Sequence, residues 1–590
     1  MAYFLKKTNR KKGLYLQIYF SFRDPDTKMP KNKCHKTLGF VSDLIAHGIA
    51  DPVAHYQKVV EDLNDEFHKE KADRQVKKIG SVSPERHLGY FPATSLLRRL
   101  EAMPDVDCLA SVRDFQFSIS ECLSALICAR LVNPVSKSRT VNEVLPTLWN
   151  EPQFSYDQIL SCLDFIGNDY EKIIEIFTRH TDETYILDYS RSFFDCTNFY
   201  FEIDQEDEWR RKGPSKENRR DPIIGMGLLL DAQCIPVGMK LYPGNQSEKP
   251  VLREVIHSLK KQHRKAGRII QVADKGLNCA ENICSALKDK DGYIFSKSVK
   301  QLSEKERVWA LKPEGFVSVQ DPEDGSLRFR IKSDIDTFDY GFTDRNGRKI
   351  TFSAREKRIV TYNPKLARKQ LREIDKMVDK ARGCALSFAK KSEYGESAKY
   401  VNFNSVDEQG NPNGKKAAVT LNFEKIEKDR ACAGYNMLVT SETGVDDMTI
   451  YSTYHELWRI EESFRTMKSE LDARPVYLQT INRIKGHFLI CYLSVLLERL
   501  IQFKVLDNQF GSHQVYRFIR EFKVMKYGNK EFVNLTVNSE LIEYFEQKYN
   551  LPLTNYYLTK AQIKHKLSVA DQHQKNSDRM NLHRSSIRVF

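Results

Sequence analysis

Three acidic positions stand out because of what surrounds them. Asp195 lies within SFFDCTNFYFE, flanked by Phe193, Phe194, Phe199, Tyr200 and Phe201. A carboxylate buried among rings without compensation is costly, so it lies at a cleft, is paired, or coordinates a cation. Asp274 ends the apolar run 269–273 and precedes Lys275 and Gly276. That puts it at the C-terminal edge of a strand, where α/β sheets place ligand groups. A cap or an ion pair is the mundane alternative for both, and Asp188 and Asp231 compete on the same terms. Glu461 belongs to IYSTYHELWRIEESFRTMKSEL, in which Leu457, Ile460, Phe464, Met467 and Leu471 recur at helical spacing as a core stripe. Tyr454, Glu461 and Lys468 follow one another at seven-residue intervals. Two turns separate each pair by about 10.5 Å, so all three can face one cleft. A solvated polar face accounts for the same spacing, and pattern alone favours it.

The elements that must hold these residues are legible around them. YILDYSRSFFDCTNFYFEI, PIIGMGLLLD, IPVGMKLYPG and RIIQVAD read as strands, with the helical EKPVLREVIHSLKKQHRK between the third and fourth. Three successive strands, then helix and strand, predict a sheet that starts antiparallel and continues parallel. Residues 95–182 carry helical periodicity, and their basic pieces, Lys137 and Arg139 among them, read equally as surface or as DNA contacts. Residues 301–435 are polar with short β-like pieces and resemble an inserted domain. A long helix near 450–471 and an apolar one near 484–503 complete the core. The ten-residue apolar stretch 488–497 is about half of what a bilayer crossing needs and reads as a buried core helix.

Both ends are basic. The first 40 residues contain ten Lys or Arg, Lys11 and Lys12 among them, against Asp24 and Asp26. A hairpin of GLYLQIYFSF and KCHKTLGF followed by a helix over 52–71 is predicted there. The stretch 560–590 holds seven Lys or Arg against Asp571 and Asp578, as a phosphate-contacting arm or a plain tail. Across 590 residues, 93 Lys+Arg against 79 Asp+Glu give a net charge of +14. That favours a polyanionic partner. With 41% apolar residues the chain is too hydrophobic to be disordered. The twelve cysteines are scattered without a zinc-site spacing and read as reduced structural thiols. MAYFLKKTNRKKG lacks a secretory pattern, so a cytosolic place is expected.

Taken together, the motifs resemble the DDE transposases of bacterial insertion sequences, in the branch with a Tyr-x2-Arg-x3-Glu-x6-Lys signature on the last catalytic helix. Tyr454, Glu461 and Lys468 match that signature, while Leu457 stands at its Arg position, with Arg459 and Arg465 the nearest substitutes. DCTNFYFE around Asp195 resembles the first catalytic strand and VADKGLNCAENI around Asp274 the second. The resemblance spans about 185–300 and 430–500. It implies an α/β fold: a ribonuclease H-like catalytic core interrupted by a β-rich insertion domain, with a basic N-terminal α+β DNA-binding domain and an all-α segment. The expected boundaries are 1–94 for the N-terminal DNA-binding region, 95–182 for the helical domain and 183–300 for the first part of the core. They continue with 301–435 for the insertion, 436–505 for the second part of the core, and 506–590 for a basic region serving dimerisation or DNA contact.

The chemistry this implies needs those residue types. Phosphodiester attack requires an activated water or 3′-hydroxyl, an in-line leaving group and neutralised charge on the non-bridging oxygens. Asp195, Asp274 and Glu461 would hold two Mg²⁺ ions about 4 Å apart, with Mn²⁺ able to substitute. Glu462 sits about 100° further round the helix and breaks the register with Lys468, so Glu461 is preferred. Tyr454, Lys468 and Arg465 would contact DNA, as would Lys216 and Arg219 in the polar loop beginning at Gly213, and Lys11 and Lys12. Trp309 can stack on an unpaired base, although a structural tryptophan is the more ordinary reading. The implied partners are double-stranded DNA, as element ends and target, and a second copy of the chain in a homodimer on paired ends. No membrane and no small-molecule cofactor are implied, and the place is the bacterial cytoplasm. An end-binding repressor without catalysis and a nuclease without strand transfer are the alternatives.

Overall fold

The computed structural model describes residues 2–23, 29–76, 83–217, 219–262, 267–386, 391–406, 416–527 and 531–563. Two compact units, Met1–Ser83 and Pro84–Phe590, divide the chain. In the first, β1 (Ala2–Arg10), β2 (Gly13–Arg23) and β3 (Pro30–Phe40) form an antiparallel sheet in that order. The expected hairpin is therefore two of three strands, β2 and β3, with β1 added on the other side of β2. Lys6, Lys7 and Arg10 mark β1 as a charged edge strand, and charge on an edge discourages pairing with other chains. Its Tyr3 backbone is tied to the helix Pro52–Val76 by both polar ends of Asn64, at 2.7 and 3.0 Å.

The second unit opens with the short strand β4 (Glu85–His87) and a helical stretch containing Ile119–Val132, Tyr156–Asn168 and Tyr170–Tyr185. Then come β5 (Arg191–Tyr200), β6 (Ile223–Leu230), β7 (Pro236–Pro243), β8 (Ile270–Ala273) and β9 (Gly292–Lys297). β5, β6 and β7 pair antiparallel, whereas β5, β8 and β9 pair parallel. The sheet is thus mixed as predicted, and its order is compatible with a ribonuclease H-like core.

The polar stretch that follows supplies β10 (Val317–Gln320), β11 (Leu327–Thr343) and β12 (Lys349–Tyr362). It continues with the helix Pro364–Leu386 and the hairpin of β13 (Val401–Val406) and β14 (Lys416–Leu421), and the chain then returns as β15 (Tyr435–Thr440). The large sheet reads β10-β11-β12-β15-β9-β8-β5-β6-β7, so the long β11–β12 hairpin extends the core sheet itself. A buried polar knot secures this extension. Glu356 on β12 accepts from the Tyr293 hydroxyl of β9 at 2.6 Å and from that of Tyr340 on β11 at 2.8 Å. Near the C-terminus β16 (Lys523–Tyr527), β17 (Glu531–Asn534) and β18 (Tyr557–Thr559) join β4 in a separate sheet.

The apolar stretch forms the helix Ile481–Leu500, buried continuously from Gly486 onward. It crosses Tyr156–Asn168 through Gly167 and Gly486, where any side chain would run into the opposing backbone. Its Phe488 ring lies 4.7 Å from Phe199 of β5. No single helix among the described residues is long and apolar enough to cross a membrane. No disulfide joins cysteines among the described residues. The basic C-terminal stretch beyond residue 563 lies outside the described residues.

Candidate active site

Strand register places the two aspartates side by side. Phe194 of β5 pairs with Ala273 of β8, which pairs with Phe295 of β9, all parallel. The next residue on each strand is Asp195, Asp274 or Ser296, so these three form a row across the sheet, at the C-terminal end of β8, midway along β5 and near the end of β9. Adjacent strands lie about 4.8 Å apart, and side chains at matching positions share a face. Ser296 Oγ donates to Asp274 Oδ1 at 2.8 Å, and the Tyr454 hydroxyl donates to the same oxygen at 3.0 Å.

The two carboxyls are held differently. Burial drives the Asp195 carboxyl up to about 6, and the nearby charges of Glu248 and Asp274 push the same way. Lys216 Nζ at 3.6 Å and the Cys196 backbone N–H at 2.7 Å pull against that rise. Burial also acts on Asp274, but the Lys275 backbone N–H and the hydroxyls of Ser296 and Tyr454 outweigh it and hold this carboxyl below its ordinary range. Two neighbouring acids with divergent proton affinities are a common mark of a functional site. Burial first, and then the charge of Asp274, raise the Tyr454 hydroxyl, which stays protonated as the donor.

The segment carrying Tyr454, Glu461 and Lys468 is not the continuous helix that periodicity predicts. It runs as Asp447–His455, breaks at Glu456 and Leu457, resumes as Trp458–Arg465 and ends in a π-helical turn, Thr466–Glu470. The break is a tightening of the backbone: Leu457 N–H reaches Tyr454 O at 3.1 Å and Ile460 N–H reaches Leu457 O at 3.1 Å, both three residues back. Leu457, at the signature Arg position, is buried in the core. Neither Arg459 nor Arg465 bonds the aspartates. Arg459 lies against Trp458 and Phe503, and Arg465 is exposed, 4.0 Å from Glu462. Lys468 sits on the π-turn and donates to Glu217 at 3.1 Å, and Arg474 pairs with the same carboxylate. Glu462 is engaged by the fully buried Arg499 at 3.1 Å. Glu461 is exposed, and its carboxylate makes no hydrogen bond or ion pair among the described residues.

The structure thus brings Asp195, Asp274, Tyr454 and Lys216 together and leaves Glu461 outside the acid pair. Among the described residues no group of three or more His, Cys, Asp or Glu lies close enough to hold a metal ion. The hard oxygen donors of Asp195 and Asp274 suit a divalent cation between them. Lys216 also lies 3.9 Å from Glu248, a third acid near the pair. Arg219 stacks on Tyr200 at 3.8 Å. Lys11 and Lys12 form the exposed turn between β1 and β2 in the other unit. Trp309 is partly buried, with Lys332 Nζ 5.2 Å from its ring, the structural role. Asp231 accepts the backbone N–H groups of Gln233 and Ile235 at the β6–β7 turn, and Asp188 accepts from Ser190, so both competitors serve the backbone.

Sequence reasoning missed Ser296, Glu248, Glu217 and Arg474. Ser296 lies within β9, one residue past the last pair with β8, and only the parallel register makes it visible. Among protein families, the model of the transposase DDE domain matches residues 187–497. A search of curated proteins finds no match.

Proposed function

The chain belongs to the transposase DDE-domain family, and from that premise we propose that it is an insertion-sequence transposase. On this reading it binds the terminal inverted repeats of its element and carries out metal-dependent cleavage and strand transfer of double-stranded DNA by cut-and-paste. The observation that carries the reading is the adjacent pair Asp195 and Asp274, aligned by register, with Asp274 held by Ser296 and Tyr454 and Asp195 by the Cys196 backbone N–H.

Asp195 and Asp274 would hold the cation, with Glu461 completing the ligand set as DNA binds. Two Mg²⁺ ions, or Mn²⁺ in their place, would supply activation of the attacking water or 3′-hydroxyl and neutralisation of the departing oxygen. Tyr454 fixes the rotamer of Asp274 through its hydroxyl. Lys216 and Lys468, with Arg474 beside the latter, provide the positive charge that steadies phosphate near the acids. The unit Met1–Ser83, with Lys11 and Lys12 exposed on its turn, serves recognition of the element ends, and a homodimer pairs two ends.

The test is Mg²⁺-dependent cleavage and strand transfer from a plasmid carrying the gene with its natural flanks. Glu461→Gln is expected to lower the rate by roughly a thousandfold, about 4 kcal/mol of barrier, with folding unchanged. Glu462→Gln should keep the activity and lose stability, because it faces Arg499. End binding without cleavage by any folded form would sink the catalytic reading in favour of a repressor. Cleavage without joining would leave a nuclease.

A further inference from the structure

Between the helical segment and the stretch that follows the π-turn lies a cavity of about 520 Å³ that the catalytic reading does not use. Lys137 lines it and is only 6% exposed. Its ammonium has one polar neighbour, His487 Nδ1 at 3.4 Å, and no carboxylate partner among the described residues. Arg130, 5% exposed, lines the same cavity and donates only to the backbone oxygens of Leu471 and Val135. Asp472 is the cavity's one acid, and it is solvent-exposed. Charging a buried lysine and arginine together beside an imidazole, with so little negative charge nearby, is expensive, so burial and the Arg130 charge hold the Lys137 amine well below its ordinary range, and an anion arriving from outside would favour its charged form. At the mouth stand the exposed rings of Tyr477 and Tyr156, 71% and 42% accessible.

We infer that this cavity binds a phosphate group of a DNA strand, with the adjoining base on the tyrosine rings. Lys137 keeps two N–H donors for the phosphate, and aromatic rings beside cations are the usual platform for single-stranded nucleic acid. The strand is favoured as the source because the cavity wall 472–478 includes the neighbours of Arg474, which shares Glu217 with Lys468 at the acid site. This choice of source rests on the transposase reading, whereas the phosphate chemistry does not.

The experiment uses the full chain and two probes, inorganic phosphate in thermal unfolding and a mixed-sequence DNA with a single-stranded tail in binding titrations over salt. Lys137→Met should match or exceed the wild-type Tm in phosphate-free buffer and abolish the rise that phosphate gives. It should weaken DNA binding about tenfold and flatten the log–log salt slope by about 0.7 to 0.9. Tyr477→Ala, exposed and harmless to folding, should weaken binding at least about fivefold without changing that slope, and it decides the matter if Lys137→Met does not fold. A lower Tm for Lys137→Met with an unchanged phosphate response would make Lys137 structural and overturn the proposal, as would wild-type DNA affinity in Tyr477→Ala. A lost phosphate response with unaltered DNA binding would support the phosphate chemistry and assign it to a free phosphate or nucleotide, overturning the strand. Wild type that binds no DNA at all would fail the transposase reading, and the phosphate response would still answer for the cavity.

Discussion

The acid row on β5 and β8 and the Arg499 node in the helix Ile481–Leu500 both concentrate charge in the core unit, and they handle it in opposite ways. Arg499 is 1% exposed and fully engaged: Glu462 lies at 3.1 Å, Glu498 at 3.6 Å, Gln502 Oε1 at 2.6 Å and Ser463 Oγ at 3.3 Å. Asp195 and Asp274 have no comparable closure. Hydroxyls and backbone N–H groups steady them, and the one cation at Asp195 is a lysine at 3.6 Å. A charge matched on every side stabilises one arrangement, whereas a charge left half-matched is available to a ligand. Adjacent residues of one helix show the contrast most sharply, since Glu462 belongs to the closed node and Glu461 faces solvent.

The largest effect that would break this comparison is on stability. Arg499→Leu strands two acids, Glu498 and Glu462, in or near the core, so urea unfolding should show a loss of about 3–5 kcal/mol. A loss no greater than that of a surface substitution would mean that the node is not closed.

A smaller effect concerns pH. Burial holds the Glu498 carboxyl above the usual glutamate range, against the pull of Arg499. The folded chain therefore keeps this proton to higher pH than the unfolded chain does. The stability it contributes is complete below the unfolded value and is lost as pH rises through the raised folded value. Glu498→Gln should remove that slope from unfolding free energies measured across mildly acidic pH. Identical slopes in the two proteins would place the titration elsewhere.

The smallest effect probes the acid row. Tyr454→Phe deletes one hydrogen bond to Asp274 and should slow cleavage about two- to tenfold, worth about 0.5–1.5 kcal/mol, with Tm nearly unchanged. A large fall in Tm would show that Tyr454 supports the fold more than the carboxylate.

Much of the core was legible because its strands are short apolar runs bounded by turns, and because an aspartate amid Phe193, Phe194 and Phe199 is conspicuous. β1 was overlooked: AYFLKKTNR carries three basic residues, and only pairing with β2 makes it a strand. The break at Glu456 and Leu457 was also hidden, since helical periodicity continues through a turn that tightens by one residue. Lys137, read equally as surface or as a DNA contact, is buried, which no local pattern announces.

The sequence by itself determined the kinds of element, the acids worth watching and the basic character of the chain, because periodicity, turn chemistry and charge are local properties. Tertiary structure alone decided which groups meet. Parallel register set Asp195 beside Asp274 and Ser296, a backbone break and a π-turn aimed Tyr454 and Lys468, and the packing of distant helices enclosed Lys137 with His487. Those juxtapositions join residues tens to hundreds of positions apart, and their cost and benefit exist only once the chain has removed them from water together.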